Sequence, residues 1–182
     1  MGLMIMQSRS IPRPLRCLAL ASAFAAFSGA SAAAQQVAVA VLEFDYVGRS
    51  GGLLDQGPAS TERLRNLVQQ VRDGLAQSGR YRVVSLECEP VPCSAGRTDA
   101  GELIAKARAA GARLLIFGGI QKMNTVVQYG NAEAVDLEAD RLVFDRNIVF
   151  RDDSKEAWDY AADYLVAELM KENLGRAEVT TR

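Results

Sequence analysis

The stretch QVAVAVLEF, residues 36–44, decides the fold because it is an almost unbroken run of apolar and β-branched residues. Strands with this composition are buried on both faces, as they are in the middle of a sheet covered by helices. Two later segments are similar, YRVVSL at residues 81–86 and ARLLIFGGI at residues 112–120. Together the three segments predict the core strands of an α/β sheet.

Helical patterns separate these strands. Residues 60–78 carry apolar side chains at helical spacing, so they predict a helix with one buried face. The stripe consists of Leu64, Leu67, Val68, Val71 and Leu75. Ser60 is the predicted N-cap, and Gly79 is placed for a left-handed C-terminal turn. A second helix is predicted to begin at an N-cap near Asp99 and to end at Gly111.

The pattern changes after the third strand. Residues 124–138 and 142–150 alternate between polar and apolar types around a turn at residues 139–141, which predicts a meander added to the sheet. A last helix is predicted to begin near Asp153 or Ser154. Its apolar stripe consists of Trp158, Ala161, Leu165 and Leu169.

The predicted order of elements is therefore β-α-β-α-β-β-β-α, and the fold class is α/β. Strands that alternate with helices favour parallel neighbours, and the meander adds an antiparallel extension, so the sheet is mixed. We expect helices packed on this sheet, in two or three layers. One domain covers residues 35–171, and residues 172–182 form a polar C-terminal tail.

The N-terminal segment, residues 1–34, has the features of a secretory signal peptide. A basic region without acids precedes an apolar run at residues 17–27, and small residues with an A-x-A pattern follow. Cleavage is expected at Ala32 to Ala34, which places the mature protein in the periplasm. The apolar run is shorter than the roughly 20 residues that a membrane-spanning helix needs. No second long apolar run occurs, so the mature chain is predicted to have no membrane span.

Composition excludes several classes of function. The sequence has no histidine, which removes Ser-His-Asp and Cys-His catalysis and the usual histidine-containing zinc sites. Its net charge is −1, and the signal segment contains arginines but no acids, so the mature chain is more acidic still. An acidic chain is a poor match for nucleic acid. We predict a protein that is not an enzyme and that uses neither a metal nor a cofactor.

Four residues separate Cys88 from Cys93 in LECEPVPCSAG. Two thiols with only glutamates nearby are too few ligands for a zinc site. A thioredoxin-type pair has two residues between its cysteines and lies at a helix N-terminus. An exported protein meets an oxidising compartment, where two cysteines form a bond. The prediction is a Cys88–Cys93 disulfide between the second strand and the second helix.

Five residues are candidates for a binding site at one end of the sheet. Glu43 and Asp45 flank the end of the first strand, where ligands bind in open α/β sheets. Gly118, Gly119 and Lys122 come at the end of the third strand. Structural roles remain open for all of them: Asp45 as a loop cap, Glu43 in an ion pair with an arginine, Lys122 in a salt bridge, and the glycines as a bend or a close contact between strands.

A family resemblance rests on several pieces of sequence taken together. They are VAVAVLEFDY, LAQSGRYRVVS, AGARLLIFGGIQK and DLEADRLVFDR, in that order. They resemble small secreted Gram-negative proteins known only as a domain of unknown function. Their order is also similar to that of the N-terminal domain of TolB, and of lipoprotein domains of the curli-secretion and penicillin-binding-protein-activator types.

The resemblance covers about residues 37–169 and consists mostly of core and turn pattern. It implies a periplasmic accessory or adaptor domain that binds an envelope protein and carries no catalytic residues. The alternative is a small-molecule-binding protein, or a cofactor chaperone for a periplasmic enzyme, that uses Glu43, Asp45 and the glycine pair.

Overall fold

The computed structural model describes residues 35–47, Leu53, 57–123 and 126–175. The elements are β1 (Val37–Val41), β2 (Asp45–Tyr46), α1 (Pro58–Gln77), β3 (Tyr81–Val84), α2 (Ala100–Ala109), β4 (Leu114–Lys122), β5 (Val127–Asp136), β6 (Arg141–Arg151) and α3 (Lys155–Lys171). The predicted signal segment, with its cleavage site at Ala32 and Ala34, lies outside the described residues, and so does most of the tail.

The strands form one mixed sheet, which confirms the predicted fold class. Its order is β3-β1-β4-β5-β6. β1 runs parallel to β3 and β4, whereas β5 runs antiparallel to both β4 and β6. The parallel core and the antiparallel extension are therefore arranged as the sequence pattern predicts.

β1 is buried on both faces, as its composition indicates. Val39 and Val41 belong to a core cluster with residues of α1 and α3, whereas Ala40 and Leu42 belong to a second cluster with α2. Side chains alternate between the faces of a strand, so the two clusters lie on opposite sides of the sheet. The domain therefore has three layers, with α1 and α3 on one face of the sheet and α2 on the other.

The predicted N-cap of α1 is wrong. The helix begins at Pro58, and Gly57 is its N-cap with a φ of 81° and no side-chain cap. Proline suits the first turn because its fixed φ is helical and its missing N–H has no partner there anyway. Two other predicted helix boundaries agree with the structure. Gly79 has a φ of 67° after α1, and Asp99 accepts the N–H of Glu102 at the start of α2.

The sequence pattern missed β2. Its two residues, Asp45 and Tyr46, pair in parallel with Gly119 and Ile120 of β4. Between β1 and β2 the chain stays beside β4, because Leu42 donates its N–H to Ile116 O. β2 is thus a short continuation of the β1 line, and two residues are too few to give a periodic pattern.

The turn between β5 and β6 contains a buried carboxylate. Asp136 Oδ1 accepts the N–H groups of Glu138 and Ala139, at 2.9 and 3.0 Å, and Asp136 Oδ2 lies 3.3 Å from Arg113 Nε. Burial alone raises the pKa of Asp136, but these hydrogen bonds and the guanidinium of Arg113 outweigh it and lower that pKa below its usual value.

We expect Asp136→Asn to lower the free energy of unfolding by about 1–2 kcal/mol at pH 7, because the amide has one acceptor oxygen in place of two. A lowered folded-state pKa means that the carboxylate stabilises the fold above its unfolded-state pKa of 3.8 and stops doing so as the pH falls further. The difference between the two proteins should therefore shrink below about pH 4. Urea unfolding at several pH values measures it, and a difference independent of pH would contradict the assignment.

Candidate functional site

Glu43 lies just beyond β1 and forms an ion pair with a side chain of α1. Its Oε1 is 3.0 Å from Nη1 of Arg72, which extends from α1. The same guanidinium donates from Nη2 to Val41 O at 2.6 Å. Because Arg72 joins the end of β1 to the middle of α1, the Glu43 carboxylate is held in a structural ion pair that is about a quarter exposed.

Asp45 is buried, with 4% of its surface exposed. Oδ1 accepts the hydroxyl hydrogen of Ser94 at 2.9 Å, and Oδ2 accepts the backbone N–H of Gly96 at 2.9 Å. Arg97 Nε lies 3.5 Å from Oδ1. A carboxylate with these partners holds the loop after Cys93 against β2.

Two concave regions meet at Glu43. A small pocket of about 110 Å³ is lined by both Glu43 and Asp45, together with Arg65 and Arg97. A larger cleft of about 580 Å³ extends from Glu43 along the ends of β1 and β3 to the disulfide loop. The first is smaller than the several hundred Å³ typical of small-molecule sites, and the second is within that range.

Gly118 and Gly119 are close-packing positions in β4. A Cβ on Gly118 would lie closer than 3.0 Å to Asn131 O and to the ring of Phe44, and a Cβ on Gly119 would lie 2.8 Å from Val47 Cγ2. The neighbouring backbone and side chains thus occupy the space that a residue larger than glycine needs. Neither glycine lines the pocket that joins Glu43 and Asp45.

Lys122 lies in a different cluster, around Asp153 at the start of α3. Its Nζ is 3.8 Å from Asp153 Oδ2, which also accepts from Arg63 at 2.8 Å. Asp153 Oδ1 accepts from Trp158 Nε1 at 3.0 Å. Beside this cluster, burial raises the pKa of Tyr46 to about 12 despite its hydrogen bond with Ser60. The structure therefore brings Glu43 and Asp45 together but places Lys122 with α1 and α3.

The predicted disulfide joins Cys88 and Cys93, with a Cα–Cα distance of 5.2 Å. Cys93 is buried against the α2 cluster, and its carbonyl accepts the N–H of Glu43 at 2.9 Å. The covalent loop between β3 and α2 is therefore bonded directly to the segment that links β1 and β2.

We expect the double change Cys88→Ala and Cys93→Ala to lower the free energy of unfolding by about 2 kcal/mol. The disulfide closes a small loop and so restricts the unfolded chain, and without it the unfolded chain has more conformational entropy. Urea unfolding with and without a reductant measures this. The reductant should shift the midpoint of the native protein and leave that of the double variant where it is. A native protein that reductant does not affect would contradict the prediction.

One part of the sheet has no helix over it among the described residues. The odd-numbered side chains of β4 and β5, and those of β6 from residue 145 onwards, point to the face on which α2 lies. On these strands the cluster around α2 reaches only Leu115, Phe117 and Val135. The side chains beyond that corner are half-buried on β4 and β5 and exposed on β6. This surface, called here the open face, consists of Gln121, Tyr129, Asn131, Asn147 and Val149.

The open face is mixed in character. Val149 is 60% exposed, and Tyr129 next to it donates its hydroxyl hydrogen to Asn147 Oδ1 at 2.6 Å. Asn131 donates to Glu133 Oε1 at 2.9 Å. Leu142, at the other end of β6, is 50% exposed. An apolar and aromatic centre with a polar surround is typical of surfaces that contact another protein.

None of the helices in the described part of the chain has the length and apolar character to cross a bilayer. Within the same residues, no group of three or more acidic or cysteine side chains is arranged to hold a metal ion.

Sequence reasoning missed Arg72 and the open face. Arg72 lies on the polar side of a helix, 29 positions from Glu43, and only the packing of α1 on the sheet brings them together. The exposure of Val149 could have been predicted from the sequence, because β6 alternates between exposed and buried positions towards its end. The exposure of its outer positions depends on where α2 ends, which local sequence does not specify.

Comparison with known proteins gives one family and several similar folds. Residues 37–170 match the family model DUF3280, described as "Protein of unknown function (DUF2380)". No curated protein matches the chain.

Among solved structures, TolB from Acinetobacter baumannii matches with 15% identity and a TM-score of 0.49, over 78% of this chain and 29% of that chain. A PelC dodecamer from Paraburkholderia phytofirmans matches with 14% identity and a TM-score of 0.47, over 80% and 91%. The LpoB C-terminal domain from Salmonella enterica matches with 15% identity and a TM-score of 0.43, over 65% and 85%. This chain thus spans less than a third of the TolB chain.

Proposed function

This chain belongs to the family of proteins of unknown function (DUF2380), and we propose that it is a periplasmic accessory domain, without catalytic activity, that binds another envelope protein. The observation that carries the proposal is the open face, where Val149 is 60% exposed beside Tyr129 on a sheet that is otherwise covered by helices. Exposed apolar side chains with a polar surround favour a protein partner.

The engagement of the acidic side chains supports a role without catalysis. Asp45 already accepts hydrogen bonds from Ser94 and Gly96, and Glu43 already pairs with Arg72. A general acid or base must be within reach of a substrate proton, and these carboxylates are bonded to their own chain. The sequence supplies no histidine to take that role.

Two features support the proposed location. The basic, apolar and small-residue regions of residues 1–34 have the order of a signal peptide, and the Cys88–Cys93 bond is of the kind that forms in an oxidising compartment. Both features suit the periplasm.

Site-specific photocrosslinking in cells tests the proposal. A photoreactive amino acid at Val149 is expected to capture an envelope protein other than a copy of this chain, whereas the same amino acid at Tyr160 is not. Tyr160 is a matched control because it is 63% exposed but lies on α3, away from the open face. Equal capture at both positions would reject the open face as the binding surface, and no capture at either would reject the proposed function.

A second candidate function is binding of a small molecule, and the cleft of about 580 Å³ beside Glu43 favours it. The cleft lies at the carboxyl ends of β1 and β3, the edge at which open α/β sheets bind ligands. Ser85 is exposed and lines this cleft, so the indole ring of a Ser85→Trp variant would occupy it. A ligand that raises the melting temperature of the native protein but not of this variant would support the second function over the first.

A further inference from the structure

β6 is the outer strand on its side of the sheet, and none of the described residues forms a strand beyond it. It is 11 residues long, from Arg141 to Arg151, and contains no proline. An outer strand presents backbone donors and acceptors to any chain that can lie alongside it. The direction in which these groups point, and the side chains between them, decide what can pair there.

The backbone direction follows from the pairing of β6 with β5. Asp152 donates its N–H to Val126 O just after the strand, and the register there places Val127 opposite Arg151. Residues that exchange hydrogen bonds alternate along an antiparallel pair, so the even-numbered residues of β6 bond to β5. The N–H and C=O groups of four odd-numbered residues therefore point away from the sheet. These residues are Asp145, Asn147, Val149 and Arg151.

One contact agrees with this orientation. All four odd-numbered residues are exposed, so no described part of the chain covers them. The carbonyl of Asp145 accepts a bond from Nη1 of Arg146 at 2.8 Å, so a donor outside the β5–β6 pair can reach it. The outer edge of β6 thus offers a regular row of backbone groups over at least seven residues.

The charges on this edge complement a second copy of the same edge. When two β6 strands lie antiparallel with Ile148 on the two-fold axis, Asp145 of one copy is opposite Arg151 of the other, and Asn147 is opposite Val149. The Asp145–Arg151 pair then occurs twice, and opposite charges facing each other across strands stabilise the pairing. Shifting the register by two residues either way removes both charge pairs.

We propose that two copies of this chain associate through antiparallel pairing of their β6 strands, with Asp145 of each copy facing Arg151 of the other. The contact is isologous, so it closes as a dimer and does not extend into a fibre. It joins the two sheets into one and sets the two open faces side by side. The inference uses the edge of β6, does not depend on the proposed envelope partner and can fail separately from it.

Sedimentation equilibrium of the purified chain from Gln35 onwards tests the proposal. We expect a dimer with a dissociation constant at or below about 100 μM. Asp145→Arg should weaken the dimer by about tenfold or more, because each attractive pair becomes a repulsive one. Adding Arg151→Asp to that variant reverses both charges and should restore association. A native chain that stays monomeric at about 1 mM, or a double variant no tighter than the single one, would overturn the proposal.

Amide hydrogen exchange keeps the proposal testable if the charge variants fold poorly. In the native protein the N–H groups of Asn147 and Val149 should become protected as the protein concentration rises. The N–H groups of Arg146 and Ile148 already bond to β5 and should be protected at every concentration. If Asn147 and Val149 remain unprotected at the highest concentration, the β6 dimer is overturned.

Discussion

Asp45→Ala is expected to lower the free energy of unfolding by about 3 kcal/mol, the largest effect of any single side-chain truncation at the candidate site. The carboxylate is 4% exposed, and it accepts bonds from the Ser94 hydroxyl and the Gly96 N–H. Truncation leaves the buried Ser94 hydroxyl without its acceptor, and the Gly96 N–H and the half-exposed Arg97 guanidinium lose theirs as well. Urea unfolding measures the loss.

Glu43→Gln is the matched control for Asp45. It alters the neighbouring carboxylate, but the amide oxygen of glutamine can still accept from Arg72, whose guanidinium also stays bonded to Val41 O. We expect a loss of less than about 1 kcal/mol. If Asp45→Ala cost no more than Glu43→Gln, Asp45 would not be the group that holds the loop, and a functional role for its carboxylate would become the better explanation.

Gly118→Ala is expected to destabilise the domain by about 2–3 kcal/mol, because the added methyl group has no space. Its Cβ would lie closer than 3.0 Å to the carbonyl oxygen of Asn131 and to the ring of Phe44. The first is backbone of the paired strand β5, and the second is a buried core residue, so neither can move without disturbing the sheet.

Gly101→Ala is a suitable control for Gly118, since it adds the same methyl group at an exposed position in the first turn of α2. Its nearest neighbour would be Asp99 Oδ1 at 3.1 Å, on a side chain that can adjust. We expect a change of less than about 1 kcal/mol in either direction, because alanine is the better helix former. A Gly118 variant with an unchanged urea midpoint would show that the strand contact is loose and would make a ligand-binding role for the glycine pair worth testing again.

The sequence was most informative where a local pattern and the tertiary structure demand the same residue. The two-sided burial of β1 was predictable because a strand between two layers has no solvent face, so almost every position must be apolar. Gly79 and Gly111 were predictable for a similar reason: both have positive φ, at 67° and 72°, after a helix end. The start of α1 was not, because Ser60 and the Gly57–Pro58 pair are both acceptable helix beginnings, and only the packed structure selects one of them.

The sequence by itself determined the α/β class and the parallel core with its antiparallel extension, because both follow from the order of local patterns along the chain. It also determined the Cys88–Cys93 disulfide, because two cysteines lie close together in a sequence with the features of an exported protein. The tertiary structure alone decided what the acidic residues do and which surface stays open. Arg72 reaches Glu43 from a helix 29 positions away, and Ser94 reaches Asp45 from a loop 49 positions away. Such partners meet only when the layers pack, since a side chain's neighbours in space are set by the fold and not by its neighbours along the chain.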